Sequence, residues 1–314
     1  MRVITNLSEP AFPGERTVIT IGAYDGVHIG HREVIRNVRD MAAKLGAKSV
    51  VVTFDRHPAW VVRPESAPKL LTTNDQKIKL LTATGVDATV LVPFDEDASH
   101  EKPEEFVKRV LVDCLAVKTV VVGEDFHFGY RRSGNVPMLK EIGVAHDFTV
   151  APIALIQRED GIGEPVSSTS IRRALAGGQI ETATQMLGHH FEAVGTVIQG
   201  DQRGRTIGFP TANVEVAGLT CLPADGVYAG YYERPNGDIH ECAINLGRRP
   251  TFYDAQGYSL LEAHLLDFEG DLYSEFAKVR FTHFLRSERK FDGIDALKSQ
   301  LMLDIEHAKQ SLAS

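Results

Sequence analysis

Hydrophobic and polar positions follow two different rhythms along this chain, and the change falls near Gly188. Before it, TVITIG (17–22) and KSVVVTF (48–54) read as short, near-continuous apolar strands, the pattern of strands buried on both faces. Between them Val34, Val38, Met41 and Leu45 recur at helical spacing and predict an amphipathic helix over 32–45. The unit repeats. A helix over 75–83 leads to the strand VDATVLVPF (86–94), and a helix after Pro103 carries Phe106, Val107, Val110 and Leu111 on one face. VKTVVVG (117–123), a short helix near 136–142 and FTVAPIAL (148–155) complete the series. Strand–helix alternation of this kind predicts parallel βαβ units, a Rossmann-like α/β domain with ligands beyond the carboxyl ends of its strands.

From 191 the chain becomes β-rich: FEAVGTVIQG, GVYAGYYER, DIHECAINLG, YSLLEAHLLDF and FAKVRFTHFL, with Pro-Asn-Gly at 235–237 as a hairpin turn. A last helix over about 293–312 places Leu297, Leu301, Ile305, Ala308 and Leu312 on one face. These elements predict a small antiparallel β-barrel with a C-terminal helix. The expected domains are 1–187 and 188–314, with the partly helical stretch LAGGQIETATQMLGHH as the hinge.

At 314 residues, two domains are the default, and 43% apolar with 24% charged residues excludes a disordered chain. No apolar run is long enough to span a bilayer, and the first residues lack the apolar core of a secretory signal. Three scattered cysteines form no CxxC pair, so the expected location is a reducing cytoplasm. The net charge is −8; residues 1–187 carry 22 basic and 24 acidic side chains, the remainder 12 and 18. Neither part offers the basic surface that nucleic acid requires, whereas small phosphorylated ligands need only a few donors. Oligomeric assembly stays open.

Four strings of the first half fall at carboxyl ends of predicted strands or open the helix that follows. GAYDGVHIGHREV sets His28 and His31 about Gly30 at the mouth of a helix, where backbone N–H groups and two imidazoles can meet a phosphate. It is neither the G-x-G-x-x-G fingerprint nor a Walker loop; a pair of exposed surface histidines is the plainer alternative. TFDRHP (53–58), VGEDFHFGYRRSG (122–134) and SSTSIRRAL (167–175) are the others. Phe126 and Phe128 are either core residues or a stacking surface. In the second half, GTVIQGDQRGRTIGFPTANVEV (195–216) has glycines at 200, 204 and 208 that can fold N–H groups over phosphates, or simply shape a hairpin loop. Thr211 and Asn213 offer hard oxygen ligands suited to Mg²⁺. Glu262, on its own, reads as an outward-facing strand residue.

Taken together, GAYDGVHIGHR, TFDRHP, VGEDFHFG and SSTSIR resemble the adenylyltransferase half of the bacterial bifunctional riboflavin kinase/FMN adenylyltransferase (FAD synthetase) family. GRTIGFPTAN, LPADGVYAG, NLGRRPTF, LEAHLLDFEGDLY and FLRSERKF are similar to its riboflavin kinase half, and the likeness runs from about 17 to 310. Tyr24 stands where the family usually has Phe, and Arg56 and Ser287 where it usually has Pro. The resemblance implies that the second half phosphorylates riboflavin with ATP and Mg²⁺, and that the first joins FMN to ATP, releasing FAD and pyrophosphate. Riboflavin, FMN, FAD and ATP/ADP are then the ligands, with no nucleic acid and no membrane.

The implied roles follow the motifs. His28, His31 and Arg172 are catalytic in the first half; Gly22, Asp25, Gly30, Ser168 and Thr169 contact its ATP. Phe54, Phe126 and Phe128 are the candidates for the flavin ring. In the second half Glu262 is the general base, Gly200, Gly204, Arg205 and Gly208 hold ATP, Thr211 and Asn213 hold the metal, and Arg286 covers the flavin. Three rivals were open at this level: transfer to another phosphorylated acceptor, a flavin-binding regulator without catalysis, and a nucleic-acid-binding protein.

Overall fold

A computed structural model of the chain describes every residue except 155, 159–160, 162, 201–202, 249–258 and 314; of 203, 248, 259 and 260 it describes the backbone alone. Parts of GDQRG (201–202) and NLGRRPTF (249–252), and the last residue of FTVAPIAL, thus lie outside the described residues. The chain divides into two compact units, Met1–Ser168 and Thr169–Ser314.

The first unit is a parallel sheet of six strands: β1 (Arg2–Ile4), β2 (Thr17–Ile21), β3 (Lys48–Phe54), β4 (Ala88–Val92), β5 (Val117–Gly123) and β8 (Thr149–Ile153), in the order β1-β4-β3-β2-β5-β8. Its apolar runs are continuous because both faces are covered. Ile19, Val50 and Val52 enter one core cluster, whereas Val18 and Val51 enter clusters of their own. The helices include α1 (Ile29–Leu45), α2 (Asn74–Ala83), α3 (Pro103–Phe106, continued as a π-helix over Val107–Cys114) and α4 (Val136–Ala145). In α1 the buried stripe is Ile35, Val38 and Ala42; Leu45, expected on that stripe, lies 38% exposed in the last turn. A two-stranded hairpin, β6 (His127–Phe128) with β7 (Gly134–Asn135), stands apart from the main sheet.

The second unit opens with α5, which spans Ser168–Ala176 and so begins at the division, and α6 (Ile180–Leu187). β9 (Phe191–Ile198), a short helix α7 (Arg203–Thr206), β10 (Ala212–Val216), β11 (Gly226–Glu233), β12 (Ile239–Arg248), β13 (Ser259–Leu265), β14 (Phe276–Arg286) and α8 (Ile294–Leu312) follow. The strands close into a barrel in the order β10-β13-β12-β11-β14-β9, every pair antiparallel. Tyr228, Tyr232, Phe191 and Phe281 are among its fully buried side chains. A buried side chain of Phe size is worth about 1.5–3 kcal/mol. In α8 the expected apolar face holds at Ile305, Ala308 and Leu312, which pack at a small core cluster, but Gln300 and Asp304 are buried as well.

Candidate active sites

In the first unit the chain builds outward from β2 through β3 and β4, then returns to lay β5 on the other side of β2. Such a reversal opens a crevice at the carboxyl ends of the two strands. The loop GAYDGVH leaves β2 there in a constrained form: Tyr24 (φ 52°), Gly26 (φ 84°) and Val27 (φ 38°) all have left-handed backbones. For β-branched Val27 this costs on the order of 1–3 kcal/mol, so its surroundings must impose it. They do. The buried Asp25 carboxylate accepts from Leu71 N at 3.0 and 3.1 Å and from Thr72 N at 3.0 Å, while Gly26 N donates to Thr72 Oγ1 at 3.1 Å. Thr53 Oγ1 donates to Ala23 O at 3.1 Å, and Ser168 Oγ to the Asp25 carbonyl at 2.9 Å.

That clamp starts α1 on His28, whose Nδ1 accepts from His31 N at 3.3 Å as a helix N-cap. The two imidazoles stack with centroids 3.5 Å apart and planes at 19°, and Tyr24 lies 4.8 Å from His31. His31 Nδ1 is buried without a hydrogen-bond partner among the described residues. Burial first, and then His28, hold the His31 pKa well below the ordinary imidazole value, so the ring is neutral at pH 7. Stacked imidazoles at a helix N-terminus, one with an unused nitrogen, form a place for phosphate oxygens.

Several first-half residues sit differently from expectation. Both Asp25 oxygens are turned to the 71–72 backbone, so this residue shapes the loop instead of facing ATP. A Cβ on Gly30 would lie 3.2 Å from the His28 ring and 3.6 Å from Val166 O, so this glycine makes room for the protein's own groups. Gly22 likewise makes room for the Tyr24 ring, 3.1 Å from where a Cβ would be. Phe128 is core: it packs 6.2 Å from Phe106 and under Gly134, and Phe126 covers it in a stack at 5.4 Å. Phe126 and Phe54 are half-buried, Phe54 edge-on to Phe94 at 5.3 Å. Ser168 is brought to the histidine loop. Thr169, exposed, and Arg172, half-buried, stand in the first turns of α5 beyond the division of the units.

In the second unit strand register builds the site. Glu262 on β13 is paired with Asn213 on β10 and with Asn245 on β12, so the three side chains line up across adjacent strands on one face. Asn245 Nδ2 donates to Glu262 Oε2 at 3.2 Å. Thr211 lies just before β10 and lines the same cavities as Asn213. A cavity of about 650 Å³ is lined by Asn213, Asn245, Glu262, Arg286, Glu288 and Asp304, among others. A second of about 620 Å³ is lined by Arg205, Phe268, Asp271 and Tyr273, among others. Gly204, Thr211 and Asn213 belong to both walls.

The glycines act through what they leave out. A Cβ on Gly200 would strike the Asn213 amide at 2.5 Å, and one on Gly204 would strike the Phe209 carbonyl, so at each position the room is taken by the protein's own atoms. Gly208 holds φ 91°, a turn that side chains resist. His264 Nδ1 bonds Pro210 O at 2.7 Å and fixes the start of the Pro-Thr-Ala-Asn run. Arg286 lines the first cavity, but its guanidinium is held in a two-bond pair by buried Asp304 at 2.8 and 2.7 Å, with Gln300 completing the carboxylate at 2.7 Å. It therefore anchors the wall to α8, where a free flavin cover was expected. Glu288 seats on Gly247; burial first, then the charges of Asp225 and Glu262, push its pKa up.

Asn245, His264 and Lys77 were not singled out by motif reasoning. Asn245 sits inside the NLGRRPTF string and His264 inside LEAHLLDFEGDLY, both usable signals; Lys77 carries none outside the fold. A carboxylate in one cavity, beside an asparagine that also borders the next, can take a proton from an alcohol placed in the first while a nucleotide occupies the second.

Comparison with known proteins identifies the family of each half. Residues 13–170 match the model of the FAD synthetase family and residues 187–312 that of the riboflavin kinase family. The bifunctional riboflavin kinase/FMN adenylyltransferase of Listeria monocytogenes is 36% identical over 297 residues, covering 94% of this chain and 92% of that protein. The protein of that name from Pseudomonas fluorescens is 37% identical over 292 residues (93% and 92%), and that from Escherichia coli K12 36% over 308 (97% and 95%). A solved structure described as a macrolide-efflux protein from Streptococcus pneumoniae superposes with a TM-score of 0.86 at 29% identity, covering 98% of both chains. The efflux description is that protein's own; among the described residues here no helix is long and apolar enough to cross a membrane. The chain belongs to the bifunctional riboflavin kinase/FMN adenylyltransferase family, with a FAD synthetase domain first and a riboflavin kinase domain second.

Proposed function

We propose that this chain makes FMN from riboflavin and ATP in its barrel half, residues 188–314, and FAD from FMN and ATP in residues 1–187. The observation that carries the reading is the aligned set Asn213, Glu262 and Asn245 on the wall of one cavity, with Asn213 also bordering the second. Riboflavin fits the cavity with Glu262, and ATP the one bordered by the Gly-rich loop with Gly200, Gly204, Arg205 and Gly208. Glu262 takes the proton of the ribityl 5′-hydroxyl as that oxygen attacks the γ-phosphorus of ATP, the bond to the β-phosphate oxygen breaks and ADP leaves, and Asn245 holds the carboxylate in place. Thr211 and Asn213 would hold Mg²⁺. Two oxygens on one strand edge suit this ion, which keeps waters and phosphate oxygens, and it would neutralise phosphate charge.

In the first half the FMN phosphate attacks the α-phosphorus of ATP in line, and pyrophosphate leaves. No covalent nucleophile is needed; the work is placement and charge neutralisation. His28 and His31 hold phosphate oxygens at the start of α1, beside Ser168, whose hydroxyl is tethered to the Asp25 carbonyl. Phe54 and Phe126 are the faces left for the isoalloxazine ring. A cytoplasmic setting suits three buried free cysteines.

The test is a chromatographic time course of the purified protein with riboflavin, ATP and Mg²⁺. FMN appearing first and FAD later supports both assignments. FMN without FAD leaves the kinase reading and removes the other. Riboflavin bound but unconverted would favour a regulator instead.

A further inference from the structure

Among the described residues Lys77 is the one buried lysine, 6% exposed, at the fourth position of α2. A buried ammonium is costly unless something nearby needs its charge. Its Nζ donates to the Phe54 carbonyl at 2.8 Å, at the carboxyl end of β3. Two charged groups act on it: Asp25 from the loop after β2 and Asp55 from the loop after β3. Asp55 is itself fixed, accepting from Phe94 N at 2.9 Å, and Asn74 of α2 donates to the Asp55 carbonyl. The Leu71 and Thr72 amides that clamp Asp25 lead directly into α2, which is started by a capping box of Thr73 and Gln76. One helix thus ties the loop after β2, which borders the first crevice, to the loop after β3 beside it.

We propose that Lys77 is a positioning residue of the FAD-forming site: it holds the end of β3 in place and offsets the two carboxylates beside a crevice whose substrates are both anions. This rests on the adenylyltransferase reading of the first half. Without the ammonium, Asp25 and Asp55 would repel FMN and ATP, and Phe54 would lose the bond that fixes its backbone. The effect falls on substrate binding more than on the chemical step.

Burial pulls the Lys77 pKa down to about 8, against the raising influence of Asp25 and Asp55. As pH passes that value the charge is lost, and the KM for FMN rises; the FMN phosphate is already doubly ionised there. Stability runs the other way. The unfolded chain, with a lysine near the ordinary 10.5, binds more protons between about 8 and 10.5, so this group makes the fold more stable as pH climbs. A rising KM over that window therefore does not come from this group loosening the fold.

The experiment measures steady-state FMN adenylylation and riboflavin phosphorylation for wild type, Lys77→Met and Lys77→Arg between pH 7 and 9.5. Lys77→Met is expected to raise KM for FMN and ATP about tenfold with kcat within about twofold, leaving riboflavin phosphorylation unchanged. Lys77→Arg should keep a near wild-type KM and lose the rise above pH 8. If Lys77→Met does not fold, the pH profile of Lys77→Arg against wild type decides alone. Equal FMN KM in wild type and both variants across the pH range overturns the proposal, as does an equal loss in both variants. A wild type that makes no FAD from FMN at all refutes instead the reading on which it rests.

Discussion

The two halves position their chemistry by opposite means. In the barrel, Asn213, Glu262 and Asn245 are cross-strand neighbours, so the hydrogen-bonded register that makes the fold also aligns the site. A one-residue slip would turn the whole set to the other face, which ties site geometry to fold integrity. In the parallel sheet the strands only deliver loops to a common edge. There the geometry comes from side chains spent on the protein itself: the Asp25 clamp, the Ser168 tether and the ring of His28 capping its own helix. The barrel site is therefore stiff by construction, and the crevice site is only as firm as its clamps.

Substitutions can break this contrast one half at a time. Glu262→Gln keeps the shape but removes the base, and should cut FMN formation from riboflavin by about 10²–10⁴ while FAD formation from supplied FMN is unchanged. Product quantification by chromatography reads both. His28→Ala should lower FAD formation about a hundredfold and, through loss of the helix cap, cost about 1 kcal/mol of stability in the first half alone. An equal kinase defect in that variant would contradict the division of labour. Asp25→Ala leaves the Leu71 and Thr72 amides without their acceptor, a loss of about 1–3 kcal/mol visible as a lower Tm, with FAD formation falling in step. If FAD formation fell with Tm intact, Asp25 would be a substrate contact after all. The mildest is Asn245→Ala: kcat for riboflavin phosphorylation should drop about tenfold with KM for ATP unchanged, because only the aim of Glu262 is affected.

Legibility followed the same divide. KSVVVTF and VKTVVVG appear with the bounds their apolar runs predict, since a strand buried on both faces has no other way to read. β1 is three residues long and too short to leave a pattern, and β10 was hidden because Pro-Thr-Ala-Asn reads as a loop motif. α3 begins where Pro103 predicts it, but its π-helical continuation has no mark in the pattern of apolar positions. Among site residues, the string around His28 identifies the loop but not how its oxygens and rings are used. Asp25 and Gly30 stand within the motif, yet their partners are Leu71, Thr72, His28 and Val166, contacts that exist only once the chain is folded. For Phe128 the decisive fact is Gly134 beneath its ring, six residues on.

Closure of the barrel has a consequence for self-association. An open sheet can recruit a further strand at either rim; a closed one has no rim, so strand addition and the aggregation that grows from it have no foothold on the second half. The first half does have two rims, but one is a three-residue strand and the other carries Pro152, which cannot donate to an incoming backbone. Neither rim is a template for fibrillar growth while the chain is folded.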